Sequence, residues 1–265
     1  MLSQPNINKQ TKKGGTKVKN IIVFAISFLV IFAFAGLLLN AQEVTFRWFG
    51  QACFLIETSQ NTRIITDPLS MGAYKIPEDI KPDIVTVSHE HFDHNQVDAV
   101  SGEPSFLRGL TSGGKDFASI EEKINDVKIY AVPSYHDANQ GKQRGKNAIF
   151  IFEFDGIKVV HLGDLGHTLS EDQVKGIGPV DVLMIPVGGK YTVAGEEADK
   201  VIAQLNPKMI VFPMHFKTDA ADFLPYTGDD FAKGKQNVKK IEGNTFKLDL
   251  KNPPPHLEYV VLNYK

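Results

Sequence analysis

The sequence predicts a mixed α/β fold with sheets at the centre and helices outside. Three observations predict it. Short runs of β-branched and aromatic residues succeed one another between Val44 and Thr66, as in an antiparallel start. Later runs of the same kind alternate with helical patterns. The 224 residues that follow Ala41 are enough for one well-buried domain, so the chain divides into residues 1–41 and a body of 42–265.

The elements follow in order. Val44–Phe49 alternates apolar and polar residues, and Ala52–Glu57 and Arg63–Thr66 read as short strands. Ile84–Ser88 (IVTVS) is a β-branched run suited to a buried strand. Val127–Val132, Ala148–Phe154 and Lys158–Leu162 are further strands, with Asp155-Gly156 as a hairpin turn between the last two. Val180–Pro186 and Met209–Pro213 read as buried strands, and His256–Asn263 as a final strand after the Pro-rich connector Asn252–Pro255. Helical patterns fall at 95–100, 117–124, 170–176 and 195–205, the last stopped by Asn206-Pro207.

The first 41 residues differ from the rest. They hold five lysines and no acid, which leaves the body with a formal charge of −7. An acidic body argues against a nucleic-acid partner. Residues 21–39 carry no charge, and 19 helical residues span about 28 Å, near the bilayer hydrocarbon thickness. With a basic flank ahead of it, this run predicts export, with the body on the extracytoplasmic side. A signal peptide cut near Ala41 and an uncleaved membrane anchor compete; apolar signal cores usually run about 7–15 residues, so the length favours the anchor. The single cysteine, Cys53, cannot form an internal disulfide and sits in an apolar run as a structural thiol.

The chemistry concentrates in His89-Glu90-His91-Phe92-Asp93-His94, directly after the strand IVTVS. His89 and His91 are two apart and point the same way in extended backbone. Asp93 and His94 begin a turn and can face a second metal. Imidazole and carboxylate together suit zinc, iron or manganese. Beyond later strands lie His136 (VPSYHD), Asp164 (HLGDLGH) and His215 (VFPMHF).

In this order the residues resemble the metallo-β-lactamase superfamily, which carries His-x-His-x-Asp-His after a buried strand, then His, Asp and His. The resemblance covers most of residues 44–217 and implies a four-layer αββα sandwich. It implies that His89, His91 and His136 bind one metal and Asp93, His94 and His215 a second, with Asp164 bridging. It also matches Asp67 to an acid that orients the ligand loop. Within the superfamily, GDLGH (163–167), IPVGGKYT (185–192) and FPMHF (212–216) are similar to the branch containing L-ascorbate-6-phosphate lactonase. Gly188 and Gly189 would let backbone approach the site closely. His167 and Tyr191 either meet substrate, support a ligand, or simply pack.

The resemblance implies a hydrolase with two divalent ions, zinc first and manganese or iron behind it. A hydroxide bridging the metals would attack an ester, lactone or phosphodiester, with Asp93 or Asp164 orienting it or carrying its proton. No cysteine follows residue 53, which argues against the commonest β-lactam hydrolysis site. The alternatives are a membrane-associated lipid phosphodiesterase similar to N-acylphosphatidylethanolamine phospholipase D, and a non-catalytic metal-binding scaffold or sensor. The partner is a small-molecule or lipid substrate, with the membrane reached through residues 21–39 if they are uncleaved. Substrate contacts are expected from the loops 67–82, 101–118 and 217–236, where Arg108 and Lys115 could meet an anion.

Overall fold

A computed structural model describes residues 1–3 and 42–265; the apolar run 21–39 lies outside the described residues. The first sheet contains β1 (Glu43–Gly50), β2 (Cys53–Glu57), β3 (Arg63–Thr66), β4 (Ile84–Val87), β5 (Ser105–Arg108) and β13 (Thr245–Asp249), in the order β13-β1-β2-β3-β4-β5. The second contains β6 (Glu121–Ile124), β7 (Val127–Tyr135), β8 (Lys146–Phe154), β9 (Ile157–His161), β10 (Val182–Pro186), β11 (Ile210–Met214), β12 (Val238–Lys240) and β14 (Glu258–Val261). Its order is β12-β14-β11-β10-β9-β8-β7-β6. Each sheet has an antiparallel part and a parallel part: β3-β4-β5 are parallel in the first, and β9-β10-β11-β14-β12 in the second.

The period-two pattern of the strands decides what faces what. On β2, Phe54 and Ile56 enter the main core, whereas Cys53 and Leu55 join a smaller cluster. On β3 and β4, Ile64 and Ile84 enter the main core and Ile65 and Val85 the smaller one. Aromatic contacts tie the sheets together: Phe46 of β1 meets Phe212 of β11 at 5.0 Å between ring centroids, and Trp48 meets Phe216 at 4.7 Å.

Three α-helices contribute to the main core among the described residues: α1 (Glu171–Ile177), α2 (Gly195–Leu205) and α3 (Gly228–Ala232). Ser170 and Gln173 form a reciprocal cap on α1. On α2, Ala198, Val201, Ile202 and Leu205 make one buried stripe, and Asn206 ends the helix in the left-handed region (φ 44°). The smaller cluster brings the segment Leu69–Ile80 and a 3-10 turn at Val97–Ala99 against the first sheet, with no α-helix among the described residues. The fold is the mixed α/β sandwich expected, with that helical layer reduced to loop.

Some local expectations fail. The helical pattern at 117–124 is no helix: its second half is strand β6, paired with β7 through a turn at Asn125 (φ 54°), and its short edge position overrides the propensity of EEKI. The pattern at 95–100 shrinks to the 3-10 turn. Strands β5, β12 and β13 and helix α3 carry little apolar periodicity. Asp155 and Gly156 both have positive φ (51° and 77°), as the β8–β9 hairpin requires.

Candidate metal centre

The chemistry-bearing residues all follow the carboxyl ends of strands. Asp67 follows β3, His89 lies two residues past β4, His136 follows β7, Asp164 lies three residues past β9, Gly188 two past β10, and His215 follows β11. Carboxyl ends of parallel strands are where α/β folds place their ligands, because the loops there converge on a rigid edge.

The structure brings seven of the predicted residues together. His89, His91 and His136 form one group, and Asp93, His94 and His215 another; within each, the potential ligand atoms lie within 4.8 Å of one another. Asp164 lies between them. Its Oδ2 is 3.0 Å from His136 Nε2, 3.2 Å from His94 Nε2, 3.3 Å from His215 Nε2 and 4.0 Å from His89 Nε2. Asp93 Oδ2 is 3.6 Å from His94 Nε2 and 3.9 Å from His215 Nε2. His91 is exposed at the rim, and the remaining histidines of the cluster are buried.

A third triad of neighbouring atoms, Asp67 with His89 and His94, has a different role. Asp67 is fully buried and its carboxylate is already engaged. It accepts from Ser88 N–H at 2.7 Å, from Ser88 Oγ–H at 2.6 Å and from His94 Nδ1–H at 3.0 Å. Ser88 Oγ in turn accepts from His89 Nδ1–H at 2.9 Å. His136 Nδ1–H donates to the carbonyl of Tyr191 at 3.1 Å. A carboxylate and a carbonyl can only accept, so these partners fix the Nδ1–H tautomer and turn each Nε2 lone pair toward Asp164.

Burial, reinforced by His94, holds His89 well below the usual imidazole range, and partial burial of its ring, with His136 beside it, lowers His91 at the rim. Burial opposes a charge on His94 as well, but Asp164 and Asp67 outweigh it and raise that imidazole well above its ordinary value. For Asp164 the burial penalty is overcome by His215, His94 and His136, and its carboxyl is held well below the usual range. Four buried atoms in the cluster have no hydrogen-bond partner: His89 Nε2, His94 Nε2 and Asp164 Oδ1, which face its centre, and His215 Nδ1. Orphaned imidazole nitrogens converging on a carboxylate are what a cation would satisfy, so the donor set fits divalent metal.

Backbone geometry holds the cluster. Asp67 (φ 40°) and His215 (φ 49°) are non-glycine residues in the left-handed region, a conformation costing on the order of 1–3 kcal/mol. Their N–H groups are pinned, to Thr86 O at 2.8 Å and Gln51 O at 3.0 Å. A Cβ on Gly188 would sit 2.0 Å from His215 O, so only glycine allows this close approach; Gly189 continues the turn.

His167 is a strut, outside the cavity lining: its Nε2 accepts from Tyr135 N–H at 3.2 Å, beside His136, and its Nδ1–H donates to Thr168 O. Tyr191 holds His136 by its carbonyl and lines the cavity by its ring. Arg108 is taken by Glu90 at 2.8 Å, so it is not the anion receptor that the loop suggested. Lys115 is not among the cavity's lining residues either; its carbonyl accepts from Lys146. Sequence reasoning missed Ser88, Asn147, Asp137 and Arg144. Asn147 accepts Asp164 N–H at 3.0 Å and donates to Ser134 Oγ and Leu162 O. It stands immediately before the apolar run of β8, where the sequence alone gives a polar residue no special weight.

A cavity of about 440 Å³ opens on the cluster between Phe92, Arg144, Tyr191 and Phe223. A larger groove of about 900 Å³, lined by Asp199, Lys235 and His256, shares no residue with it.

This fold and this cluster define a class, the metal-dependent hydrolases, and comparison with known proteins agrees. The beta-lactamase superfamily domain matches residues 45–215. A UPF0173 metal-dependent hydrolase of Thermococcus onnurineus is 30% identical over 70% of this chain and 93% of its own length. Another, of Pyrococcus abyssi, is 30% identical over 81% of this chain and 99% of its own. A structure from Thermotoga maritima, assigned to the Zn-dependent hydrolases of the metallo-beta-lactamase superfamily, is 37% identical, with a TM-score of 0.66 over 83% of this chain and 98% of that one. The chain belongs to the metallo-β-lactamase superfamily and is a metal-dependent hydrolase.

The expectation of an exported or membrane-anchored protein is corrected. The described helices have 7, 11 and 5 residues, and none is long and apolar enough to cross a bilayer, which takes about 20. The two archaeal relatives are metal-dependent hydrolases matched over nearly their full lengths. The readings of a signal and of a transmembrane segment have no support in either observation.

Proposed function

We propose that this chain is a dinuclear hydrolase acting on an ester, lactone or phosphodiester of a small molecule. His89, His91 and His136 would hold one ion, Asp93, His94 and His215 the other, and Asp164 would touch both. Zinc is the first candidate, before manganese and iron, because the donors are mainly imidazole. Bound there, two divalent ions would acidify water and polarise a substrate carbonyl or phosphoryl oxygen. The observation that carries the reading is the convergence of three imidazole Nε2 atoms within 3.3 Å of one carboxylate oxygen, with each group's atoms inside 4.8 Å.

The chain's own groups have separable tasks. Ser88, Asp67 and the Tyr191 carbonyl keep His89, His94 and His136 in the tautomer that leaves Nε2 free. Asp164 is buried at the base of the cavity, which suits a fixed charge. Asp93 is only partly buried, lines the cavity and is held below the usual carboxylate range, burial being outweighed by His215 and His94. That shift keeps it ionised and makes it a weak base, but its place on the cavity wall makes it the group within reach of an attacking water, able to orient it or carry its proton to the leaving oxygen.

The test is metal analysis of the purified full chain together with turnover of lactone, thioester, ester and phosphodiester substrates. Two ions per chain and hydrolysis of at least one class are expected, with His91→Ala abolishing it. Full metal content with no turnover of any class, or undiminished turnover by fully loaded His91→Ala, would refute the reading.

A further inference from the structure

The cavity beside the cluster is built to sort substrates by charge. We infer that Arg144 is a specificity residue that binds an anionic group remote from the scissile bond, on an apolar arm lying along Tyr191 and Phe223. This rests on the hydrolase reading above.

Arg144 lines the cavity together with His91, His136 and Asp164, so a ligand can touch it and the cluster at once. It has no carboxylate partner among the described residues, whereas Arg63 is neutralised by Glu57 and Arg108 by Glu90. One guanidinium N–H donates to Lys190 O at 3.1 Å, and the guanidinium carbon lies 5.6 Å from the centre of the Tyr191 ring. Those two contacts steer the group and leave most of its five donors for a ligand.

The loop beneath is rigid. The Asp137 carboxylate accepts four backbone N–H groups, from Asn139, Gly141, Gln143 and Arg144, at 2.7–3.1 Å. A loop closed this way presents its arginine already ordered, which lowers the entropic cost of binding. The apolar part of the site is equally defined. Tyr191 and Phe223 lie 6.3 Å apart between ring centroids, and Lys190 Nζ sits over both rings at 5.1 and 6.0 Å. Phe92 and Phe223 are exposed at the cavity, although large apolar side chains are mostly buried in this fold. An oxyanion on a short hydrocarbon or aromatic arm fits both halves: the arm covers the rings and the anion meets Arg144 as a fork.

The experiment uses the full chain with its metal and three p-nitrophenyl esters of equal acyl length. They end in a carboxylate (mono-p-nitrophenyl adipate), a methyl (hexanoate) or an ammonium (6-aminohexanoate). The adipate ester should exceed the hexanoate in kcat/KM by about tenfold. Arg144→Gln should bring that ratio near one, Arg144→Lys should keep part of it, and Arg144→Glu should turn it toward the ammonium ester. A wild-type ratio of one, or a ratio unchanged in Arg144→Gln, overturns the inference. Calorimetric titration with adipamic acid and with hexanamide reads the same subsite without turnover. Adipamic acid should bind about tenfold more tightly, and Arg144→Gln should remove the difference; equal binding by the wild type overturns the inference. Discrimination in calorimetry with no ester turned over would count against ester hydrolysis alone and leave the anion subsite standing.

Discussion

Asp67→Asn separates the role of charge from the role of shape at the metal centre. The native carboxylate receives three hydrogen bonds and gives none. In the variant the amide oxygen must stay toward Ser88 N–H, which can only donate. The amide NH2 then occupies the place of Oδ2, facing Ser88 Oγ and His94 Nδ1. The serine hydroxyl can turn and accept. His94 can accept only by moving its proton from Nδ1 to Nε2. That proton would point at Asp164, 3.2 Å away, and Nε2 could no longer hold a metal. The left-handed backbone at position 67 is no obstacle, since Asn adopts it readily. A small change in stability is therefore expected beside a large one in metal binding. Outer partners of metal-bound histidine are worth about 10–100-fold in affinity or activity, or about 1.4–2.7 kcal/mol. Competition with a chromogenic chelator should show the second ion lost first, while the thermal melt of the metal-free protein moves little. Ser88→Ala, which removes one acceptor partner and leaves the tautomer of His94 intact, should lose less. Wild-type affinity for both ions in Asp67→Asn would refute the tautomer argument.

Three further outcomes are expected. Stripping the protein with a chelator should lower Tm, and zinc should restore it, because an ion present at about a hundred times its Kd stabilises by roughly 2.7 kcal/mol; an unchanged Tm would mean that the cluster holds no ion in the native state. Gly188→Ala should displace His215, since the new Cβ would meet a backbone oxygen at 2.0 Å, at a cost of about 1–3 kcal/mol and most of the activity, and a fully active variant would refute the packing. His161 is fully buried, with Nε2–H donating to Ala52 O at 2.8 Å and Nδ1 accepting from Gly163 N–H, and burial lowers its pKa. The unfolded chain takes up this proton near pH 6.5 and the native one only at lower pH, so stability falls as pH drops below about 6.5. Urea unfolding at pH 7 and pH 5 should show a smaller acid loss in His161→Leu than in the wild type, and an equal loss would remove His161 from the account.

How much of this was legible in the sequence depends on distance along the chain. His89 to His94 could be read directly, because six adjacent residues after a β-branched strand state their own geometry. His136, Asp164 and His215 could be read as members of the same cluster through the resemblance to the superfamily's residue order, each lying beyond an apolar run that predicted a strand. Their supports could be read only in part: Asp67 and Tyr191 stood out as candidates, but their partners did not. Ser88 reaches Asp67 across 21 positions, Asn147 reaches Asp164 across 17, and Tyr191 O reaches His136 across 55, so each depends on strand register and loop path. Arg144 was hidden among the polar residues of a loop, and nothing in its neighbourhood signals that Asp137 ties that loop down. The failure at β6 has the same origin: four residues with weak preferences became a strand because β7 offered an open edge.

The cluster also shows what the fold gives up for its site. A carboxylate and several imidazoles are buried at separations where each disturbs the others, and two ligand-loop residues sit in strained backbone. Apolar side chains in the same space would pack at lower cost, since burying partly satisfied polar groups is unfavourable. The pull on the rings is not even uniform: burial lowers His89 and His91, while Asp164 and Asp67 raise His94 against burial. Such opposed shifts cannot all be relieved by protons, because a proton that suits His94 is refused by His89 a ring away, with centroids 4.3 Å apart. A divalent cation relieves them together, since it binds neutral imidazole and carboxylate alike and answers the orphaned atoms at His89 Nε2, His94 Nε2 and Asp164 Oδ1. The arrangement is intelligible as a centre prepared for metal, and it is costly as anything else.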